Sequence, residues 1–524
     1  MPDPLTVLRL TAICLAAAML AAPPSVTHAA ASGATAAPAI GWQPGASDAE
    51  VNRAFAAARS SGKPVFLYWG AVWCPPCNQV KATLFSRPDF IERSQAFVPV
   101  YVDGDKPGAQ KVASRFRVEG YPTMVLFKPD GTEITRLPGE VDPERYLLAL
   151  SAALEAQVPV KELVRRALAR QPLEPQQWRL LAFYSWDTDQ EQVLAAKELG
   201  ARLSELASRA PADLPEVRDR LALRSLAAQA DGGAPGAATA SAGRQFLDRL
   251  LADPAAAASQ ADLLIGSPQD VVKWLAPAGD DRRALAGRWE HALVTLLDRS
   301  PSLSKAVRVD ALDARVSLWK LMAGSETLSA QQRSEVLGEV ARLVAATTDR
   351  YERQAVVPSA AHVLREAGLI DESDELLKME LPHAVAPYYH MLGLAGNAKK
   401  RGDRAAALRW YEQAWRQSEG PATRLQWGAN YVGNLVELAP DDVGRIEKTA
   451  RALVSELQPK GETFYERNQR ALSRMSARLL QWQGKDPARR RAVANIRQQL
   501  AGTCTKLPAK DVGRTNCSRV FPAA

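Results

Sequence analysis

Val65-Phe66-Leu67-Tyr68-Trp69, followed within four residues by Trp73-Cys74-Pro75-Pro76-Cys77, is the stretch that decides how this chain begins to fold. Five successive apolar residues predict a buried strand, so the two thiols stand where a strand hands over to a helix. A thiol at a helix start feels unpaired backbone N–H groups and the positive dipole end, which favours its thiolate. A second cysteine one turn on can resolve a mixed disulfide. Cys74 and Cys77 are therefore the candidate redox dithiol.

Upstream, Ser47-Asp48-Ala49-Glu50 is a capping box, with Val51, Phe55 and Ala58 at helical spacing and Gly62-Lys63-Pro64 as the stop. Downstream, the spacing predicts a helix through Leu84 broken near Pro88, a strand over 97–102 and a polar turn at 103–108. Asp103 and Asp105 are read as turn residues, not metal ligands. A short helix over 112–116, a strand over 123–127, a turn at Pro129-Asp130-Gly131 and a hairpin return over 133–137 follow. Asp142 and Pro143 then open a helix carrying Tyr146, Leu147, Leu150 and Leu154. Residues 45–157 thus form an α/β unit after a flexible lead-in at 32–44.

Around the dithiol stand further features: Trp73 before the first cysteine, Gly120-Tyr121-Pro122-Thr123 at the head of a strand, and Gly139 in Leu137-Pro138-Gly139. This constellation resembles the thioredoxin superfamily over 45–157. The resemblance implies a central sheet flanked by helices, Cys74 as the exposed attacking thiol and Cys77 as the resolving one. It also implies a cis-proline at Pro122, with Tyr121 and Trp73 as the two lips of a substrate groove. The long segment 85–95 is similar to the exported thioredoxin-like subgroup that includes the C-terminal domain of DsbD, which favours reduction or isomerisation of disulfides. Two features depart from the family pattern. Tyr68 stands where many thioredoxins bury an acid, so proton removal from Cys77 needs another group or water. Pro75 and Pro76 lack N–H donors, leaving the Cys74 thiolate fewer stabilising groups, as suits a reductant.

The whole chain has 524 residues, 47% apolar and 24% charged, an ordinary balance for a soluble globular protein of several units. A formal charge of +8 is mild for this length and makes nucleic acid an unsuitable partner; Arg489-Arg490-Arg491 reads as a solvated helix face. Residues 1–31 read as a cleaved secretory signal, with Arg9, a short apolar core and Thr27-His28-Ala29. An uncleaved anchor is the competing reading, but the apolar run falls short of the ~17 residues a span needs. Cys14 lacks a lipobox context. A periplasmic or secreted location follows, with no membrane span once the signal is removed.

Export leaves four cysteines in two local pairs. Cys504 and Cys517 read as a structural disulfide stapling the C-terminal tail at 501–524, or else as an internal redox partner of the dithiol. No metal or cofactor is expected, because the pairs lie far apart and no histidine stands at ligand spacing. His291, His362, His383 and His390 read as surface or satisfied helix residues.

From 158 to 353 strand signals vanish and the pattern is helical, with a Gly/Ala-rich linker at 231–243. Leu312, Val316 and Trp319 mark a helix stopped at Gly324, and Ser329 caps another whose stripe is Val336, Leu337, Val340, Leu343 and Val344. Gly368 and Gly402, 34 residues apart, occupy comparable helix-turn-helix positions, so 354–500 resembles a tetratricopeptide array, a helical solenoid whose concave face holds peptides or proteins. The expected fold is a thioredoxin-like α/β domain followed by an all-α helical-repeat region. The expected function is a thiol:disulfide oxidoreductase acting on exported disulfide proteins with an unidentified redox partner, the helical half supplying grip. The alternatives are an oxidant of exported chains, or a binding scaffold in which Cys74 and Cys77 form a merely structural disulfide.

Overall fold

The computed structural model describes residues 39–139, 142–230, 232–266 and 268–522. The signal segment 1–31, with Cys14, and the first part of the lead-in lie outside them.

Order begins earlier than the lead-in reading allows. Gln43–Pro44 (β1) pairs in parallel with Val98–Asp103 (β3), and Trp42 packs against Phe66, Tyr68 and Phe85. The aromatic ring, not the small residues before it, decides where the chain settles. Helix α1 (Asp48–Ser61) carries the full capping box: Glu50 N donates to Ser47 Oγ at 3.3 Å, and Ser47 N donates to Glu50 Oε2 at 3.0 Å. Strand β2 (Val65–Gly70) follows, buried at every residue, as befits a central strand covered on both faces.

Helices α2 (Pro75–Thr83), α3 (Pro88–Arg93) and α4 (Ala109–Arg115), strands β4 (Thr123–Phe127) and β5 (Glu133–Leu137), and helix α5 (Pro143–Ala156) complete the α/β domain. The sheet order is β1-β3-β2-β4-β5, parallel from β1 to β2 and antiparallel from β2 to β5. Alternation along β2 splits the core. Val65, Leu67 and Trp69 join Val51, Phe55 and Val112 on one face; Phe66 and Tyr68 join Phe90, Tyr146 and Leu150 on the other.

The second of these cores does not stop at residue 157. It runs on through Leu163, Trp178, Leu181 and Leu203, so the change in sequence character there is no break in packing. Arg136 reinforces this seam. Its fully buried guanidinium donates to the carbonyls of Phe116 at 2.6 Å, Arg117 at 3.1 Å and Thr188, and pairs with Glu133 at 3.0 Å. A buried cation is tolerable only when so many acceptors replace its water.

Beyond 158 the described residues form helices joined by short turns, and none of these helices is long and apolar enough to cross a membrane. Gly324, Gly368 and Gly402 each take a positive φ at the end of a helix or hairpin, a conformation that costs glycine nothing. Two sequence expectations are corrected. The linker at 231–243 is helical from Ala237 onward, in Ala237–Ala252 with Leu247 and Leu250 buried. Alanine lowers side-chain volume without lowering helix propensity. In the described part of the tail, 501–522, Cys504 lies in the last turn of the helix Pro487–Thr505, and Cys517 sits in Val512–Arg519. In the Ala330–Ala345 helix Val336, Val340 and Leu343 are buried, but Leu337 faces solvent.

Candidate active site

Cys74 is the N-cap of α2, and its sulfur accepts the Cys77 backbone N–H at 3.3 Å. Its thiol donates to the Tyr121 carbonyl oxygen at 3.6 Å, and the Tyr121–Pro122 bond is cis. The strand-to-helix turn and the head of β4 thus bring Cys74, Cys77, Tyr121 and Pro122 together from two parts of the chain. Gly139 completes the corner, because a Cβ there would meet Pro122 Cγ at 2.9 Å. Asn78, which sequence reading passed over, is fully buried. Its amide donates to the Val72 carbonyl at 2.7 Å and the Cys74 carbonyl at 2.9 Å, tying the loop before the dithiol to the first helical turn.

Both cysteines are free thiols. Burial holds the Cys74 thiol well above its ordinary value, with Cys77 adding to the rise while the Cys77 amide and the Arg467 guanidinium pull the other way. For Cys77 burial again opposes ionisation, yet the Cys74 thiol, the Ala71 backbone and the Lys81 ammonium bring it below its ordinary value. Of the two, Cys77 is thus the easier to ionise, and the Cys74 thiol keeps its proton on the bond to Tyr121. Burial and the nearby cysteines keep the Tyr68 hydroxyl protonated far beyond neutral pH, so this residue can donate to a Cys77 thiolate but cannot take a proton from a thiol.

The expected exposure of Cys74 is corrected by the structure. Cys74 is 3% exposed, Cys77 0% and Trp73 8%. The cover is the helical region itself. Tyr389 stacks on Trp73 at 5.9 Å between centroids, Trp427 meets it edge-on at 4.9 Å, and the Arg467 guanidinium lies 5.4 Å above Trp73 and 5.1 Å above Tyr121. Polar contacts fix this lid in register: buried Gln354 donates to the Trp73 carbonyl at 3.3 Å and accepts from Ala386 N at 3.2 Å. The Arg467 amide donates to Gln110, which in turn donates to the Tyr121 hydroxyl at 2.7 Å. The two lips of the expected groove are thus already occupied by residues of the same chain.

Asp105, read as a turn residue, is the latch of this closure. Its carboxylate accepts from the Thr423 amide at 2.7 Å and the Thr423 hydroxyl at 2.5 Å, at the start of the helix Pro421–Leu438. That helix has Gly420 as N-cap with no capping side chain of its own, so the missing acceptor comes from the α/β domain. Burial pushes the Asp105 carboxyl up to about 6, Asp103 adding to the rise while Thr423 opposes it. Because the folded value exceeds the unfolded one, the folded chain binds the extra proton between about pH 4 and 6, and stability falls as pH rises through that window. The neutral Asp105→Asn variant should accordingly gain on the wild type in urea midpoint as pH rises from 5 to 7. A difference independent of pH would remove Asp105 as the titrating latch.

Cys504 and Cys517 pair with each other, Cα atoms 5.6 Å apart. His390 is fully buried with Nδ1 facing the Ala386 carbonyl and Nε2 unpartnered, which corrects its reading as a surface or satisfied residue.

Comparison with known proteins bears on the first domain. A family model described as a thioredoxin-like domain matches residues 51–154. The chain is 32% identical over 114 residues to the thiol:disulfide interchange protein DsbD of Pseudomonas fluorescens, covering 21% of this chain and 20% of the relative. It thus spans about a fifth of the length of that protein. Thioredoxin of Mycolicibacterium smegmatis is 34% identical over 94 residues, which cover 18% of this chain and 81% of the relative. Among solved structures a thioredoxin from Thermus thermophilus matches with 32% identity, covering 20% of this chain and 80% of that one, at a TM-score of 0.18.

Proposed function

This chain belongs to the thioredoxin family through its N-terminal domain, and from that premise we propose that it is a periplasmic thiol:disulfide oxidoreductase that reduces or isomerises disulfides of exported proteins. The observation that carries the reading is the placement of Cys74 Sγ, 3.6 Å from the carbonyl of the residue before cis-Pro122 and on the amide of its resolving partner. Cys74 loses its proton and attacks one sulfur of a substrate disulfide, expelling the other as a thiolate. Cys77 then attacks Cys74 Sγ, releases the second substrate thiol and leaves the Cys74–Cys77 disulfide. Two electrons pass to the substrate; an external dithiol must return them. Trp73 and Tyr121 flank the reacting sulfurs, and Cys504–Cys517 is a staple of the C-terminal helices, outside this cycle. The signal-like segment at 1–31 and the likeness to DsbD support the location.

Because the helical region sits on Trp73 and Tyr121, the cycle requires that region to draw back before a protein disulfide can reach Cys74. The same burial supports a second reading, in which the dithiol is a structural remnant and the helical surface is the working part. Trapping separates them. Cys77→Ala leaves mixed disulfides unresolved, so exported proteins should accumulate covalently on Cys74 and be released by reductant, as read by mass spectrometry. If no such adduct forms under conditions where the chain is exported and folded, the oxidoreductase reading is lost.

A further inference from the structure

The helix Glu466–Gln483 carries Arg467, Arg470, Arg474 and Arg478 on one face, beside Pro421–Leu438 and Pro387–Lys400. Between these helices lies a cavity of about 470 Å³. Like charges three and four residues apart repel and weaken an isolated helix, so such a ladder needs partners. Two of the arginines have them. Arg470 pairs with Glu119 at 3.1 Å and Glu466 at 3.0 Å, and Arg467 lies over Trp73 and Tyr121. Arg474 and Arg478 are exposed, and no carboxylate pairs with either among the described residues.

The neighbouring helix is shaped to receive one of them. A Cβ at Gly433 would stand 2.9 Å from Arg478 Nη1, so the guanidinium lies against bare helix backbone. Glycine inside a helix costs about 1 kcal/mol relative to alanine, and here its absent side chain is what admits the cation. Leu392, Trp427 and Met475 supply an apolar part of the wall, and Gln426, Asn430 and Glu119, whose carboxylate is held by Arg470, supply a polar part. Arg474 and Arg478 stand about 6 Å apart along the helix, and the cavity beside them continues along the same helix to Arg467, farther than one small anion reaches. Trp427, in the wall, also covers Trp73, so the cavity adjoins the lid over the dithiol.

We propose that this cavity binds an acidic peptide segment, its carboxylates pairing with Arg474 and Arg478 and its apolar side chains resting on Leu392 and Met475. The proposal goes beyond the oxidoreductase reading and does not require the cysteines to turn over. It is tested by fluorescence anisotropy with the full-length chain and a labelled six-residue peptide alternating glutamate and leucine, in low salt. The assay is run in parallel on the Cys74→Ser, Cys77→Ser double variant, so that binding is read without thiol chemistry.

Saturable binding is expected to both chains, weakened about tenfold or more by Arg474→Glu with Arg478→Glu and by added salt. Arg474→Gln with Arg478→Gln gives the same direction without reversed charge, and far-UV circular dichroism checks that either variant is folded. The peptide with glutamine for glutamate should not bind. Absence of saturable binding to the wild type, or binding unchanged in both folded variants, overturns the proposal. Citrate displacing the peptide at an equal or lower concentration also overturns it, since the cavity would then be a small-anion site.

Discussion

Serine in place of Cys74 should leave the chain with less than about a thousandth of its rate of disulfide reduction, because a hydroxyl at neutral pH is a far weaker nucleophile than a thiol and cannot form the mixed disulfide. The Cys74 sulfur is the group beside both cis-Pro122 and the resolving thiol, so no neighbour can stand in for it. Cys77 is fully buried behind it. Insulin reduction with dithiothreitol as the electron source measures the loss. A variant that keeps more than about a tenth of the wild-type rate would mean that reduction proceeds elsewhere.

Trp427→Ala should have the next largest effect, in the opposite direction for access. Trp427 contacts Trp73 at 4.9 Å and Tyr388 at 6.0 Å, and it is buried. Truncating a buried tryptophan costs about 3–5 kcal/mol, and part of that cost falls on the closed arrangement of the lid. If about 3 kcal/mol of it does, the open population rises by roughly two orders of magnitude. Alkylation of reduced Cys74 by iodoacetamide, followed by mass spectrometry in a Cys77→Ser background, should accelerate accordingly. An unchanged rate in a folded variant would show that Cys74 is reached by a route other than withdrawal of the helical region.

The α/β half was legible because each of its elements is punctuated locally. Ser47 and Glu50 start α1, the dithiol stands at the start of α2, and Asp142 with Pro143 starts α5, each as the pattern predicts. The cover over the dithiol was not legible, since no period encodes it. It depends on Gln354, Tyr389, Trp427 and Arg467 meeting Trp73 and Tyr121 across more than 200 residues of sequence. Asp105 illustrates the same limit. A polar residue after a strand reads as a turn former, and only the assembled fold reveals that it caps a helix more than 300 residues away. The linker at 231–243 was misjudged for a different reason: small residues announce flexibility in composition but are good helix formers when neighbours such as Leu226 and Leu275 close around Gly243.

Peroxide converts reachable thiolates stepwise to sulfenic and then sulfinic acid, the second step being a dead end for exchange chemistry. A sulfur kept protonated beneath an indole and a guanidinium is poor prey for that oxidant. The shelter over Cys74 should thus slow its oxidation, and under the proposed cycle the same cover delays exchange until the helical region draws back.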